Sequence, residues 1–231
     1  VTTTMVEAPA IQRLSVGKKI LMAGSGMFLL LWITAHMLGN LKIWLGPKQE
    51  NGYAAFLNRL LSPPFPEEWV LWIINILLAV AFVVHVYYAI VLSRQSKRAR
   101  PVSNQRTRRV RRDPAALSMR WGGLTLALFL VFHLANLTWG WIHPGYTFVA
   151  SEPYQNTVNN FQIWWMVVIY VVAMVALCLH IYHGSWSIFQ TFGVNSRRWD
   201  RTIRVGSTTF ALVIFVGFIS IPIGIISGAI R

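Results

Sequence analysis

Val175–Gly193 reads VALCLHIYHGSWSIFQTFG. An uncharged apolar run carries His180 at depth, and His183 follows one helical turn later. An ionisable side chain inside such a run is costly in a bilayer and marks a functional position. The same feature recurs in three other long apolar runs, which carry His36, His85 and His133, one each.

Composition places these runs in a membrane. The chain has 231 residues, is 55% hydrophobic and only 12% charged, and its mean hydropathy is +0.50. A water-soluble surface needs far more charge than that. The lone cysteine, Cys178, excludes an internal disulfide and cannot supply an iron–sulfur cluster or a cysteine-rich zinc site. The first apolar run continues to full span length after a polar lead, which speaks against a cleaved secretory signal.

About 20 apolar residues cross the hydrocarbon layer, and five stretches suffice: about 20–44, 69–92, 121–141, 161–192 and 205–230. The expected fold is therefore an all-α integral membrane protein, residues 1–231 forming a single transmembrane domain. Trp32, Trp44 and the Gly24–Gly26 pair fit the aromatic-belt and small-residue habits of such helices. Between the first two spans, Tyr53, Phe56, Leu57, Leu60 and Leu61 recur at helical spacing and predict a short interfacial helix, broken by Ser62–Pro66. The connection 143–160 is polar and neutral and reads as a loop, and the lead Val1–Val16 reads as a surface segment.

Of 21 Lys and Arg residues, all but Lys42, Lys48, Arg59 and Arg231 fall on one side, ten of them between Arg94 and Arg120. That asymmetry puts the N-terminus in the cytoplasm and the C-terminus outside. It also accounts for the net charge of +14 by topology and anionic lipid, without nucleic acid. A docking surface for a soluble partner is the sharper reading of the same basic edge.

Orientation fixes histidine depth. At 1.5 Å per residue, His36 and His133 stand about 25 and 20 Å above the cytoplasmic edge, and His85 and His180 about 14 and 15 Å. His36 pairs with His133 at an outer level, and His85 with His180 at an inner one. One imidazole per helix on two matched levels is what two stacked bis-histidine haems require, so the first four spans are expected to form a haem-binding bundle. Gly24 and Gly26 in span one, and Gly122 and Gly123 in span three, are candidate haem contacts at the inner level, with close helix packing the equal alternative. His183 is the runner-up to His180 as ligand, or a partner for a propionate. Asn40, Trp44 and Tyr53 outside, and Trp186, Ser187 and Gln190 inside, are polar or aromatic candidates for a quinone site.

The stretches His180-x-x-His-Gly-x-Trp-Ser-x-Phe-Gln-Thr-Phe-Gly193, His36-Met-Leu-Gly-Asn-Leu41 and Asn51-Gly-Tyr-x-x-Phe-Leu57 resemble the single-subunit, five-helix diheme cytochrome b anchor of succinate:quinone and fumarate:quinone oxidoreductases. The resemblance runs over essentially the whole chain. It implies a multi-pass subunit of a bacterial-type cytoplasmic membrane that binds two haems b and a quinone, usually menaquinone. Such a subunit docks a flavoprotein subunit and an iron–sulfur subunit on its cytoplasmic face. By motif, His36, His85, His133 and His180 match the axial ligands. Some relatives lack a histidine at the position of His183, which favours His180. Certain members use an acid of the first connection near an outer quinone; here Glu50, Glu67 and Glu68 lie in or beside it, and none matches the family's pattern.

The resulting expectation is an electron-transfer subunit of succinate dehydrogenase (complex II), part of an enzyme but holding no flavin or cluster itself. Within redox chemistry the alternative is the cytochrome b anchor of a hydrogenase or formate dehydrogenase. From another class comes a proton-coupled transporter with a histidine relay, which predicts carboxylates within the spans and helices broken near the midplane.

Overall fold

The computed structural model describes residues 10–98, 114–194 and 196–231, and their side chains apart from those of 10–15, 97 and 114–118. The start of the lead and the middle of the basic connection, 99–113, lie outside the described residues. Among those described, the chain is all-helical, without strands. It runs α1 (Ala10–Asn40), α2 (Pro47–Asn58), α3 (Trp69–Arg98), α4 (Pro114–His133), α5 (Pro153–Phe161), α6 (Trp164–Thr191) and α7 (Arg197–Ile226). A 3₁₀ turn, Leu41–Leu45, extends α1, and a π turn, Leu134–Thr138, extends α4.

Among the described residues, five helical segments are long and apolar enough to cross a membrane: Val16–Leu45, Trp69–Ser96, Met119–Thr138, Trp164–Thr191 and Arg197–Ile226. They turn apolar side chains outward as well as inward; Leu31, Val83, Leu128, Val172 and Val216 are all exposed, Val83 to 63%. That much exposed hydrocarbon suits lipid and not water. In lipid every backbone group must be satisfied within its own segment, which only helices and closed barrels achieve.

Two adjustments to the sequence expectation stand out. The fifth helix begins at Arg197, eight residues before the expected apolar onset. Charges end an apolar run without ending a helix, and Asp200 accepts from Arg204 Nε one turn later at 2.9 Å. Within the connection read as a loop, residues 153–161 form α5. Pro153 opens it at the first helical position, where a missing N–H costs nothing, and Tyr154, Val158 and Phe161 bury the same face. The expected short helix between the first spans is present as α2, and Gly46 enters it at φ +94.

Helix contacts arrange the spans in two couples. α1 packs on α3, α4 packs on α6, and the couples meet through α1 and α6. α7 lies against α6 and α1. Gly217 and Gly224 allow this approach, since a Cβ would stand 2.3 Å from Met37 Sδ at the first and 2.6 Å from the Trp44 ring at the second. Trp44 also donates Nε1–H to Ser220 of α7 at 3.2 Å. Among the described residues, α1 and α4 do not pack extensively, nor do α3 and α6. A lane therefore separates the helices that carry the paired histidines.

Candidate functional site

The helices bring the four histidines together in twos. His36 and His133 have ring centroids 5.9 Å apart, nearly perpendicular at 82°. His85 and His180 have centroids 6.2 Å apart at 68°. Each pair bridges the lane between helices that scarcely touch. The His36–His133 level is nearer α2 and α5 and corresponds to the outer level above; the other is the inner. All four side chains are half-buried.

The second ring nitrogen says which face of each imidazole is available. His85 Nδ1 lies 3.1 Å from the Met22 carbonyl, which can only accept. Nδ1 therefore carries the proton, and Nε2 presents a bare lone pair. His133 Nδ1 lies 3.3 Å from the Tyr170 hydroxyl. His36 differs: its Nε2 is 3.3 Å from Asn40 Nδ2, one turn along α1, so the amide covers that lone pair. His36 also stacks on Trp32 and meets Phe218 of α7. His180 Nδ1 is buried without a hydrogen-bond partner.

The four glycines separate by what they face. A Cβ on Gly26 would stand 3.0 Å from His85 Cε1, and one on Gly123 would stand 3.8 Å from His180 Cε1. Both therefore border the inner imidazoles. Gly122 lies against α6, with the Ala176 carbonyl 3.9 Å from a Cβ there. Gly24 faces away from both histidine pairs, into an apolar groove of about 460 Å³ where Ser25 and Phe28 oppose Leu77, Val80 and Val84.

The outer polar candidates divide. Tyr53 lies over Gly39, within 2.7 Å of where a Cβ would sit, and under Lys42 Nζ at 5.1 Å. Asn40 covers His36, whereas Trp44 turns to α7. Glu50, in the first turn of α2, has one carboxylate oxygen buried without a partner. Burial outweighs the nearby Lys42 charge and raises its pKa to about 7. At the inner end, His183 and Trp186 are neighbours, Trp186 Nε1–H meets Asp200 Oδ1 at 3.4 Å, and the Arg204 guanidinium lies 4.5 Å over the Trp186 ring. Ser187 contributes its carbonyl to the Thr191 hydroxyl, and Gln190 its carbonyl to the Gly193 N–H.

Sequence reasoning missed a buried polar chain behind His133. Tyr170 donates to Asn136 Oδ1 at 2.7 Å, and Asn136 Nδ2 donates to the Ile142 carbonyl at 2.6 Å and to Asn160 Oδ1 at 2.9 Å. Asn136 and Asn160 are wholly buried. Asn160 Nδ2 and the Tyr146 hydroxyl are buried without partners, and burial raises the Tyr146 phenol pKa. A lone asparagine inside an apolar span was the available signal.

The separations fit a haem at each level, and at the outer one the Asn40 amide has to leave His36 Nε2 before that nitrogen can bind a metal. Two imidazoles bound on opposite sides of one metal at about 2.0–2.1 Å per bond have centroids roughly 6 Å apart, and both pairs stand at that separation. Among the described residues no three His, Cys, Asp or Glu side chains gather to hold a bare ion. Pairs suit a metal whose remaining ligands come with it.

The fold and span count define a multi-pass helical membrane protein. No family model, curated protein or solved structure matches the chain.

Proposed function

We propose that this chain is the diheme membrane anchor and electron-transfer subunit of a succinate:quinone oxidoreductase (succinate dehydrogenase, complex II) in a bacterial-type cytoplasmic membrane. The observation that carries the reading is the pairing of His36 with His133 and of His85 with His180, with ring centroids 5.9 and 6.2 Å apart, a separation at which each pair would hold one metal between its rings. Haem b, when bound, supplies one-electron chemistry between the cytoplasmic partners and quinone.

The chain's own residues do the rest. The four imidazoles would hold the two irons, His36 once the Asn40 amide leaves its Nε2; Gly26 and Gly123 leave space beside the inner rings, and the apolar spans exclude water. Arg94, Arg98, Arg120, Arg197, Arg198 and Arg201 are exposed at the inner end, where they suit the acidic face of an iron–sulfur subunit, with a flavoprotein subunit beyond it. At the outer end, Glu50 holds or releases a proton near neutral pH, a property suited to menaquinone, whose reduction takes up protons. The stretch Gly184-x-Trp-Ser-x-Phe-Gln-Thr-x-Gly193 favours this donor over a hydrogenase or formate dehydrogenase.

The test is a dithionite-reduced minus oxidised visible spectrum of the purified complex, with haem counted per chain. Two low-spin b haems per chain are expected. One haem means that one pair is wrong, and none removes the redox reading in favour of a histidine relay.

A further inference from the structure

We infer that Tyr170 and Asn136 are positioning residues that lock His133 in one tautomer, with Nδ1 protonated and Nε2 bare, and thereby set its strength as an outer-level axial ligand. The tautomer follows from hydrogen bonds alone; its consequence for an iron rests on the haem reading above.

The argument starts from a backbone carbonyl. Ile142 O can only accept, and Asn136 meets it at 2.6 Å. The atom facing it must be the amide nitrogen, because two acceptors at that distance repel. That fixes the flip of Asn136, and the same nitrogen has a second acceptor in Asn160 Oδ1 at 2.9 Å. Asn136 Oδ1 then points at Tyr170, whose hydroxyl lies 2.7 Å away and carries one hydrogen. An amide oxygen cannot donate, so Tyr170 does. Its remaining lone pairs face His133 Nδ1 at 3.3 Å, and only an N–H there makes a bond. Each step is forced by the one before it.

The π turn makes this possible. Trp139 N–H bonds the Leu134 carbonyl at 2.8 Å, and the Trp141 and Ile142 amides both meet Ala135 O. The widened turn after His133 brings the Ile142 carbonyl back against Asn136, only three residues from the histidine. Such turns inside helices recur at functional sites. Tyr170 is held rigidly, edge-on to Phe129 and Phe161 with centroids 5.0 and 4.8 Å away. A hydrogen-bonded partner on the far nitrogen orients an imidazole and raises its basicity as a ligand. The other level gets the same tautomer more simply, as His85 Nδ1–H donates to Met22 O. The outer level needs a side-chain device because its partner is a hydroxyl that could point either way.

Two substitutions and one direct measurement test this in the full complex. Tyr170→Phe keeps the ring packing and removes the acceptor. Both haems should remain, the inner one unchanged. The outer one should become easier to reduce, its ferrous-to-ferric ratio at fixed potential rising about tenfold, at the low end of outer-shell effects. Asn136→Leu frees the Tyr170 hydroxyl to turn and donate to Nδ1, which moves the histidine proton to Nε2; the outer haem should be lost and the inner retained. The direct measurement is the ¹⁵N spectrum of His133 in the wild-type chain freed of haem, which should report a protonated Nδ1. Two haems with an unaltered outer potential in Tyr170→Phe, or a protonated Nε2 in that spectrum, overturns the inference. A wild-type complex with no haem, but with Nδ1 protonated, removes the haem reading and leaves the tautomer lock standing.

Discussion

His85 and His180 face each other 6.2 Å apart across a lane where α3 and α6 scarcely touch. Two half-buried polar rings held this way, one of them with an unpartnered buried nitrogen, are unfavourable in hydrocarbon unless something between them uses both lone pairs. His180→Ala is expected to lower haem from two to one per chain and to spare the outer level. His183→Ala should keep both haems, because His183 packs toward Trp186. The reduced-minus-oxidised spectrum of each variant separates the cases; loss of haem in His183→Ala alone would exchange the two roles.

Glycines on α1 and α7 should respond differently to the same small change. In Gly26→Ala the new methyl presses on the His85 ring, 3.0 Å from Cε1 and 3.2 Å from Nδ1, and that ring is tied to Met22 O. A shift of a few tenths of an ångström weakens the tie, and inner-level haem affinity should fall about tenfold. In Gly224→Ala the methyl meets the Trp44 ring and Ile230 Cδ1, at 2.6 and 2.8 Å. Overpacking there should cost about 1–3 kcal/mol of stability and leave the haem spectrum unaltered. Haem titration and thermal unfolding of both variants check the contrast.

How much of this was legible in the sequence depends on what each feature rests on. Which histidines meet was legible because helical rise is nearly constant, so counting from a charged edge ranks their heights. The Asn136 chain was not: a π turn has no apolar signature, and Tyr170 meets Asn136 only when α4 and α6 pack. α5 carries a core face of Tyr154, Val158 and Phe161 at helical spacing, four residues and then three, but its asparagines mask that pattern in the sequence. Asn156 and Asn160 point inward because the Val149 carbonyl accepts from the first and the Asn136 amide donates to the second. The facing of Gly24 was also hidden, since its position around α1 depends on how α3 docks.

Asn156 closes the outer connection by a reciprocal pair of bonds. Its Oδ1 accepts from Val149 N–H at 3.0 Å and its Nδ2 donates to Val149 O at 2.7 Å, with the residue 3% exposed. Asn156→Ala removes both bonds and strands the Val149 N–H, while the Val149 carbonyl keeps the Glu152 N–H, at a cost of about 1–3 kcal/mol. Chemical denaturation in detergent measures it, and the haem spectrum should stay that of the wild type.

Glu50 gives the outer end a pH dependence whose direction can be worked out. Its pKa is about 7 when folded, against an ordinary 4.5, because burial disfavours the carboxylate more than Lys42 favours it. Between those values the folded chain keeps a proton that the unfolded chain has lost. Unfolding then releases a proton, and stability falls as pH rises through this window before levelling off above it. Glu50→Gln cannot lose that proton. It should match the wild type below about pH 4.5 and exceed it above about pH 7. Lys42→Met removes the favourable charge, so the wild-type decline should extend to higher pH. Denaturation midpoints of the three proteins from pH 4 to 9 decide the point: parallel curves for wild type and Glu50→Gln would mean that the carboxyl titrates normally and is no proton reservoir for quinone.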